Sequence, residues 1–109
     1  MSKKLTLKDR HFISMYSRRL VCTMKLRNVI DKFFAQIEPT PEEFKKFNIV
    51  IDPKTFEFSC NDDEYTVEYE EFSPVVLDAM KSYIEMFDAE KAKKNDMLQR
   101  TFSYFRKLL

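Results

Sequence analysis

Few side chains in this 109-residue sequence have the types and spacing that catalysis requires. His11 is the only histidine, and it stands directly after Asp9 and Arg10. A histidine that acts as a general base needs a nucleophile and an orienting group within hydrogen-bonding distance, and the sequence nominates neither. We therefore predict no catalytic residue and no enzyme activity, and expect His11 to be a surface or half-buried helix residue.

The potential metal ligands do not cluster either. Cys22, Cys60 and His11 share none of the short paired spacings of zinc sites. The run from Asn61 to Glu64 lacks the alternating ligands, central glycine and distal glutamate of a calcium-binding loop. We predict no metal site, a solvated turn at this run, and reduced cysteines.

The chain contains no glycine. Phosphate-cradling loops, dinucleotide-binding fingerprints and nucleophile elbows need glycine where the backbone approaches a ligand or adopts positive φ. The sequence therefore predicts no cofactor. Left-handed backbone must fall to asparagine or aspartate, and Asn48, Asn61 and Asn95 stand where turns are expected.

The charge is unevenly distributed, although the net charge is only +1. Residues 1–32 contain nine basic and two acidic residues. Residues 33–90 contain four basic and fifteen acidic residues, and residues 91–109 contain six basic residues and one acidic residue. Two interpretations remain open. The basic and acidic blocks neutralise one another in the fold, or one sign is displayed on a contiguous face that steers a partner.

The acidic residues of the middle block form the first candidate binding site. Carboxylates that share a surface imitate the phosphate spacing of a nucleic acid and would occupy a basic groove on another protein. The alternative is that they only protect a sheet edge from aggregation. The predicted binding residues are Asp62, Asp63, Glu64, Glu68, Glu70 and Glu71.

The basic N-terminal block forms the alternative site, which would contact nucleic-acid phosphates. Arg18 and Arg19 stand between two predicted helices, where a helix-turn-helix protein contacts the DNA backbone. Against this, the turn lacks the usual glycine and the second helix is mostly committed to the core. The residues of this alternative are Lys8, Arg10, Arg18, Arg19, Lys25 and Arg27.

A short β-rich stretch at residues 48–72 must position the acidic candidates. Apolar residues alternate in two strands after the turn at Asp52 and Pro53, so that Phe56, Phe58 and Cys60 share one face. A small sheet is barely stable alone, so helices must cover its apolar face. We predict one α+β domain over residues 1–109: a three-stranded antiparallel β-meander packed against four to five helices, with residues 5–47 and 73–109 helical.

Local signals predict where the helices begin. Two pairs resemble capping boxes: Thr6 with Asp9, and Thr40 with Glu43. After a break at residues 17–21, Thr23 is the predicted cap of the second helix. Pro74, which follows Ser73, opens a later helix. Residues 88–95 are either loop or helix. The last helix, with Phe102 and Phe105, belongs to the core or else mediates self-association.

Several short strings resemble a group of small, uncharacterised bacteriophage and prophage proteins. The resemblance covers most of the layout, although those relatives tend to carry glycine and tryptophan near the hairpin and this chain has neither. The group has no site residues to transfer. The strings are Leu5-Thr6-Leu7-Lys8-Asp9-Arg10, Thr23-Met24-Lys25-Leu26-Arg27, residues 41–49 and Phe72-Ser73.

What the resemblance implies is an accessory protein in a bacterial cytoplasm. No apolar run follows Lys3 and Lys4, and no segment approaches the roughly 20 apolar residues of a membrane span, so we expect no signal peptide and no membrane partner. We predict a non-enzymatic interaction protein that blocks a host protein, as in anti-defence, or that sequesters a ligand, with a homo-oligomer as one option. A small nucleic-acid-binding regulator is the alternative.

Overall fold

The computed structural model describes residues 3–20, 23–70 and 72–109, and they form a single α+β body, as predicted. The elements in chain order are β1 (Lys3–Thr6), α1 (Leu7–Tyr16), a 3-10 turn (Ser17–Arg19), α2 (Met24–Ile37), α3 (Pro41–Lys46), β2 (Val50–Ile51), β3 (Phe58–Ser59), β4 (Thr66–Tyr69), α4 (Pro74–Glu85), α5 (Ala89–Lys93) and α6 (Asp96–Arg106).

The predicted three-stranded meander is not confirmed. β2 and β3 pair as an antiparallel hairpin, whereas β4 pairs with β1, so that Leu5 lies opposite Val67. Two features explain the different pairing. After β3, the backbone N–H of Asn61 donates to the carbonyl of Phe47, which turns the chain toward α3. Pairing with β4 also places Leu5 in the main core, where it is fully buried.

The strand β1 corrects the prediction that residues 5–47 are helical throughout, because Leu5 and Thr6 belong to it. The helix itself starts where the sequence indicated. Thr6 and Asp9 form the predicted capping box, and a 3-10 turn breaks the helical pattern at Ser17–Arg19. Thr23 then accepts a hydrogen bond from the N–H of Leu26 at the start of α2.

The later helices also begin near the predicted positions. Thr40 and Glu43 form a second capping box, while Ser73 precedes α4 without a side-chain cap. The segment that the sequence left open contains the short helix α5, which Asp88 caps by accepting from two backbone N–H groups. Asn95 caps α6 in the same way, by accepting from the N–H of Leu98.

Two hydrophobic clusters hold the elements together. In the main one, Ile13 of α1, Ile30 of α2, Met80 of α4 and Phe105 of α6 are completely buried. A smaller one consists of Leu7, Phe47 and Ile49, with Tyr65 packed against it, and it fixes the hairpin and the start of β4. The predicted core role of the final helix is therefore confirmed for Phe102, Phe105 and Leu108, which are all buried within the chain.

Candidate functional site

The acidic candidates lie together on one stretch of chain. Asp62, Asp63 and Glu64 form the turn between β3 and β4, and Glu68 and Glu70 follow on and just after β4. All five side chains are exposed, and none forms an ion pair with another residue that the structure describes. We call these five residues the acidic surface. Glu71, the sixth predicted member, lies outside the described residues.

Hydrogen bonds give the turn of the acidic surface a defined shape. Oδ1 of Asp62 accepts from the backbone N–H groups of Glu64 and Tyr65, both at 3.1 Å. The Tyr65 ring lies 4.4 Å from the Phe47 ring, centroid to centroid, and this contact ties the turn to the smaller core cluster. The exposed carboxylates of Asp63 and Glu64 are thus displayed from an ordered turn that the Asp62 side chain builds.

Cys60 lies beside this turn, and its surroundings favour an unreactive thiol. Its Sγ is 3.4 Å from Oδ1 of Asp63, to which the thiol donates. Burial, with the nearby carboxylates of Asp62 and Asp63, raises the pKa of the thiol above its ordinary value. At neutral pH this favours the thiol over the thiolate, which is the nucleophilic form. Cys22 lies outside the described residues.

Some acidic residues of the middle block lie opposite or against basic residues of the N-terminal block. Lys4 lies directly opposite Glu68 in the β1–β4 pair, so the two side chains project from the same face of the sheet. Arg10 of the same N-terminal block forms an ion pair with Glu43 of the acidic block, with Nη1 2.6 Å from Oε2. These contacts favour the interpretation that the charge blocks partly cancel. They leave Asp63, Glu64 and Glu70 facing solvent.

Two of the six basic candidates are used inside the fold. Arg10 is only 3% exposed; its guanidinium donates to both carboxylate oxygens of Glu43, each at 2.6 Å, and its Nε donates to the Ile37 carbonyl at 2.8 Å. Arg27 donates to the Leu20 carbonyl at 2.5 Å and to the Ser17 carbonyl at 3.2 Å. The Arg10 guanidinium is therefore not available to a phosphate, whereas the Arg27 side chain is 27% exposed and lines the same cavity as Arg18.

The other four basic candidates are exposed but separated. Lys8 stands in the first turn of α1, Arg18 and Arg19 follow its end, and Lys25 lies in the first turn of α2. Lys8 lines a cavity beside α6, whereas Arg18 lines a different one between α1 and α2. The structure therefore does not gather the six predicted residues into one patch.

His11 lines the cavity between α1 and α2, which has a volume of about 670 Å³. Its ring lies 5.0 Å from that of Phe12 and 5.8 Å from that of Phe58, centroid to centroid. Burial lowers the pKa of His11, so the imidazole is neutral at pH 7. Among the described residues it has no hydrogen-bond partner. Its observed role is aromatic packing, which agrees with the half-buried position that we predicted.

Within the part of the chain that the structure describes, no group of three or more histidine, cysteine, aspartate or glutamate side chains is placed to hold a metal ion. No helix among those residues is long and apolar enough to cross a membrane. Comparison with family models, with curated proteins and with solved structures finds no match to this chain.

Sequence reasoning missed three residues that lie around one cavity: Phe56 of the hairpin loop, and Arg100 and Tyr104 of α6. The two helix residues are four positions apart, so they share a helix face, and this spacing was a usable signal. The distant hairpin residue gave none, because its approach to α6 depends on tertiary packing.

Proposed function

We propose that this chain is a non-enzymatic interaction protein that binds a partner protein through the acidic surface. The observation that carries the proposal is the display of exposed carboxylates, without ion-pair partners among the described residues, from one ordered turn and one strand. The resemblance to bacteriophage proteins suggests a host protein in the bacterial cytoplasm as the target, and an accessory or anti-defence role through blocking that target.

The partner that fits this surface has a basic groove. Carboxylates on an extended segment resemble a row of phosphates, and complementary charge accelerates the encounter of two proteins. Because the turn is already ordered by Asp62 and anchored through Tyr65, binding requires little further loss of conformational freedom. A groove that normally holds nucleic-acid phosphates is the kind of target that such a surface would occupy and block.

A nucleic-acid-binding regulator is supported less well. That function needs several cations on one face, and Arg10 is buried in an ion pair with Glu43 while Arg27 donates to backbone carbonyls.

The test compares two variants that each lose three carboxylates. Asp63→Asn, Glu64→Gln and Glu70→Gln neutralise the acidic surface while keeping Asp62, which builds the turn, and Glu68, which lies opposite Lys4. Tagged protein is used to capture partners from a bacterial lysate, and the captured proteins are quantified by mass spectrometry. We expect the amount of specific partner to fall at least tenfold in this variant, because the steering charge and the direct contacts are both lost.

The matched control replaces exposed carboxylates elsewhere, by Glu42→Gln, Glu85→Gln and Glu90→Gln. It has the same net charge as the first variant and should capture as much partner as the original chain. Undiminished capture by the first variant would remove the acidic surface as the binding site. Capture that disappears on nuclease treatment would favour the nucleic-acid alternative.

A further inference from the structure

A cavity of about 330 Å³ lies between the β2–β3 hairpin and the helices α1 and α6. It is separate from the acidic surface, since none of those five carboxylates lines it. Its volume is at the small end of the range that small-molecule sites occupy, roughly 300 to 1,000 Å³. The cavity is therefore large enough for one small ligand.

The mouth of this cavity is positively charged. Lys8 of α1 and Arg100 of α6 both line it, both are exposed, and neither forms an ion pair with another described residue. Among the described lining residues, Glu57 is the only carboxylate. Two cations, one of them a guanidinium that can bind an oxyanion through two parallel hydrogen bonds, favour a phosphate.

The walls of the cavity are aromatic. The rings of Phe12 and Tyr104 stack with their centroids 5.2 Å apart, and the Phe58 ring lies 6.3 Å from that of Phe12. Burial raises the pKa of Tyr104, so its phenol keeps its proton at neutral pH and can donate a hydrogen bond to a ligand. On the rim stands Phe56, whose side chain is 51% exposed.

Phe56 is held in a conformation that its own side chain disfavours. Its φ is 60°, in the left-handed region that asparagine and glycine adopt more readily than phenylalanine. Its N–H donates to the Asp52 carbonyl at 2.8 Å, and this bond closes the hairpin loop. Because the ring is half exposed, burial offsets little of this strain. The Phe56 ring is therefore held at the rim of the cavity even though its backbone conformation lowers the stability of the fold.

We propose that this cavity binds a nucleotide unit, with the base stacked on Phe56 and the phosphate held between Lys8 and Arg100. A base stacked on an aromatic side chain, beside cations that hold the phosphate, is the recurring mode of single-stranded nucleic-acid recognition. A free mononucleotide presents the same chemistry. The site does not depend on the proposed protein interaction, because it uses other residues on another part of the molecule.

Isothermal titration of the full chain tests the site with four probes: adenosine 5′-monophosphate, adenosine, inorganic phosphate and a ten-nucleotide single-stranded oligoadenylate. Either nucleotide probe should bind at least tenfold more tightly than adenosine or phosphate alone, because base and phosphate are recognised together. A strand preferred at least tenfold over the mononucleotide, with affinity that falls as salt rises, identifies nucleic acid as the source. Equal affinities identify the free nucleotide. If neither nucleotide probe outbinds adenosine and phosphate, the proposal is wrong.

Variants of α6 separate the site from general charge. Arg100→Gln should weaken binding of the nucleotide probe at least tenfold. Arg106→Gln is the matched control, since Arg106 is an exposed arginine of the same helix that lies over the Phe102 ring. It should leave the affinity unchanged. Equal losses in the two variants would mean that only the overall charge matters, and would overturn the assignment.

Phe56→Asn distinguishes a binding role from a structural one. Asparagine adopts positive φ with less strain, so the variant should unfold at a higher temperature than the original chain. It has no ring for the base to stack on, so the affinity for the nucleotide probe should fall at least tenfold. An unchanged affinity would show that Phe56 does not contact the ligand.

Discussion

Arg10 is the most deeply buried of the predicted binding residues that the structure describes, with 3% exposure. It is buried, and its guanidinium joins the Glu43 carboxylate and the Ile37 carbonyl. The Arg10 guanidinium and the backbone N–H of Thr40 hold the pKa of Glu43 at about 2, below its ordinary value of 4.5. Breaking one member of such a buried pair leaves an uncompensated charge in the interior, which typically costs about 3–5 kcal/mol.

Glu43→Gln is therefore expected to lower the free energy of unfolding by about 3 kcal/mol at pH 7. The effect depends on pH with a defined sign. Because the folded-state pKa of Glu43 is depressed, its stabilisation is fully present above about pH 5 and is lost as the pH falls toward 2. Urea unfolding followed by circular dichroism at pH 7, 5, 4 and 3 should show the difference between the two proteins shrinking toward acid.

Asp31→Asn is the control for this prediction. Asp31 pairs with Arg27 at 3.3 Å, but its side chain is 60% exposed, and such pairs contribute at most about 1 kcal/mol. The buried pair would not be important if Glu43→Gln lowered the free energy of unfolding no more than Asp31→Asn does. The same conclusion would follow if the loss caused by Glu43→Gln did not depend on pH.

Glu43 has two roles: it completes the capping box of α3, and it forms an ion pair with Arg10. Only the first of these roles can be read from the sequence. The capping boxes at Thr6 and Thr40 were predictable, because both partners lie within three positions. The partners of Arg10 lie 27 and 33 positions away, and no local pattern marks them. The sequence therefore predicted helix starts correctly, but it gave no sign that Arg10 is buried in the fold.

The same distinction holds for whole elements. Strong local signals placed the helices and the β2–β3 hairpin. At the predicted turn of this hairpin, the Asp52 side chain accepts hydrogen bonds from the N–H groups of Lys54 and Thr55. β1 has only four residues, with Leu5 as its single buried apolar side chain, so it produces no periodic pattern. The choice of strand pairing is a tertiary property, and the meander prediction missed it for that reason.

The observed register between β1 and β4 predicts coupling between Lys4 and Glu68. Lys4→Glu places two carboxylates directly opposite each other and should destabilise the fold, as should Glu68→Lys, each by roughly 0.5–1 kcal/mol. The double exchange restores opposite charges and should recover most of this loss. Thermal or urea unfolding of the four proteins in a double-mutant cycle measures the coupling free energy.

A second cycle controls for long-range charge. Lys81 on α4 is exposed and, among the described residues, neither lies opposite Glu68 in a strand pair nor forms an ion pair with it, so Lys81→Glu combined with Glu68→Lys should show no coupling. Equal coupling in the two cycles, or none in the first, would contradict the β1–β4 register.

At the scale of the whole molecule, the first and last helices are joined by two kinds of contact. Lys107 forms an ion pair with Asp9 across 98 positions of sequence, and beside it Leu108 is buried in the main core with only 2% exposure. The Lys107 side chain is 44% exposed, so solvent weakens its attraction to Asp9 to at most about 1 kcal/mol. Removing a buried leucine side chain typically costs about 2–5 kcal/mol.

Apolar packing should therefore contribute more than charge to holding the two ends of the chain together. Leu108→Ala is expected to lower the free energy of unfolding by about 2–5 kcal/mol, and Lys107→Gln by less than about 1 kcal/mol. Leu109→Ala is the matched control, since Leu109 is 43% exposed and loses little packing. Urea unfolding of the three variants in low and high salt gives the ranking, which should persist in salt because burial is not screened. If the Lys107→Gln variant were less stable than Leu108→Ala, the ion pair with Asp9 would be the more important contact between the two ends of the chain.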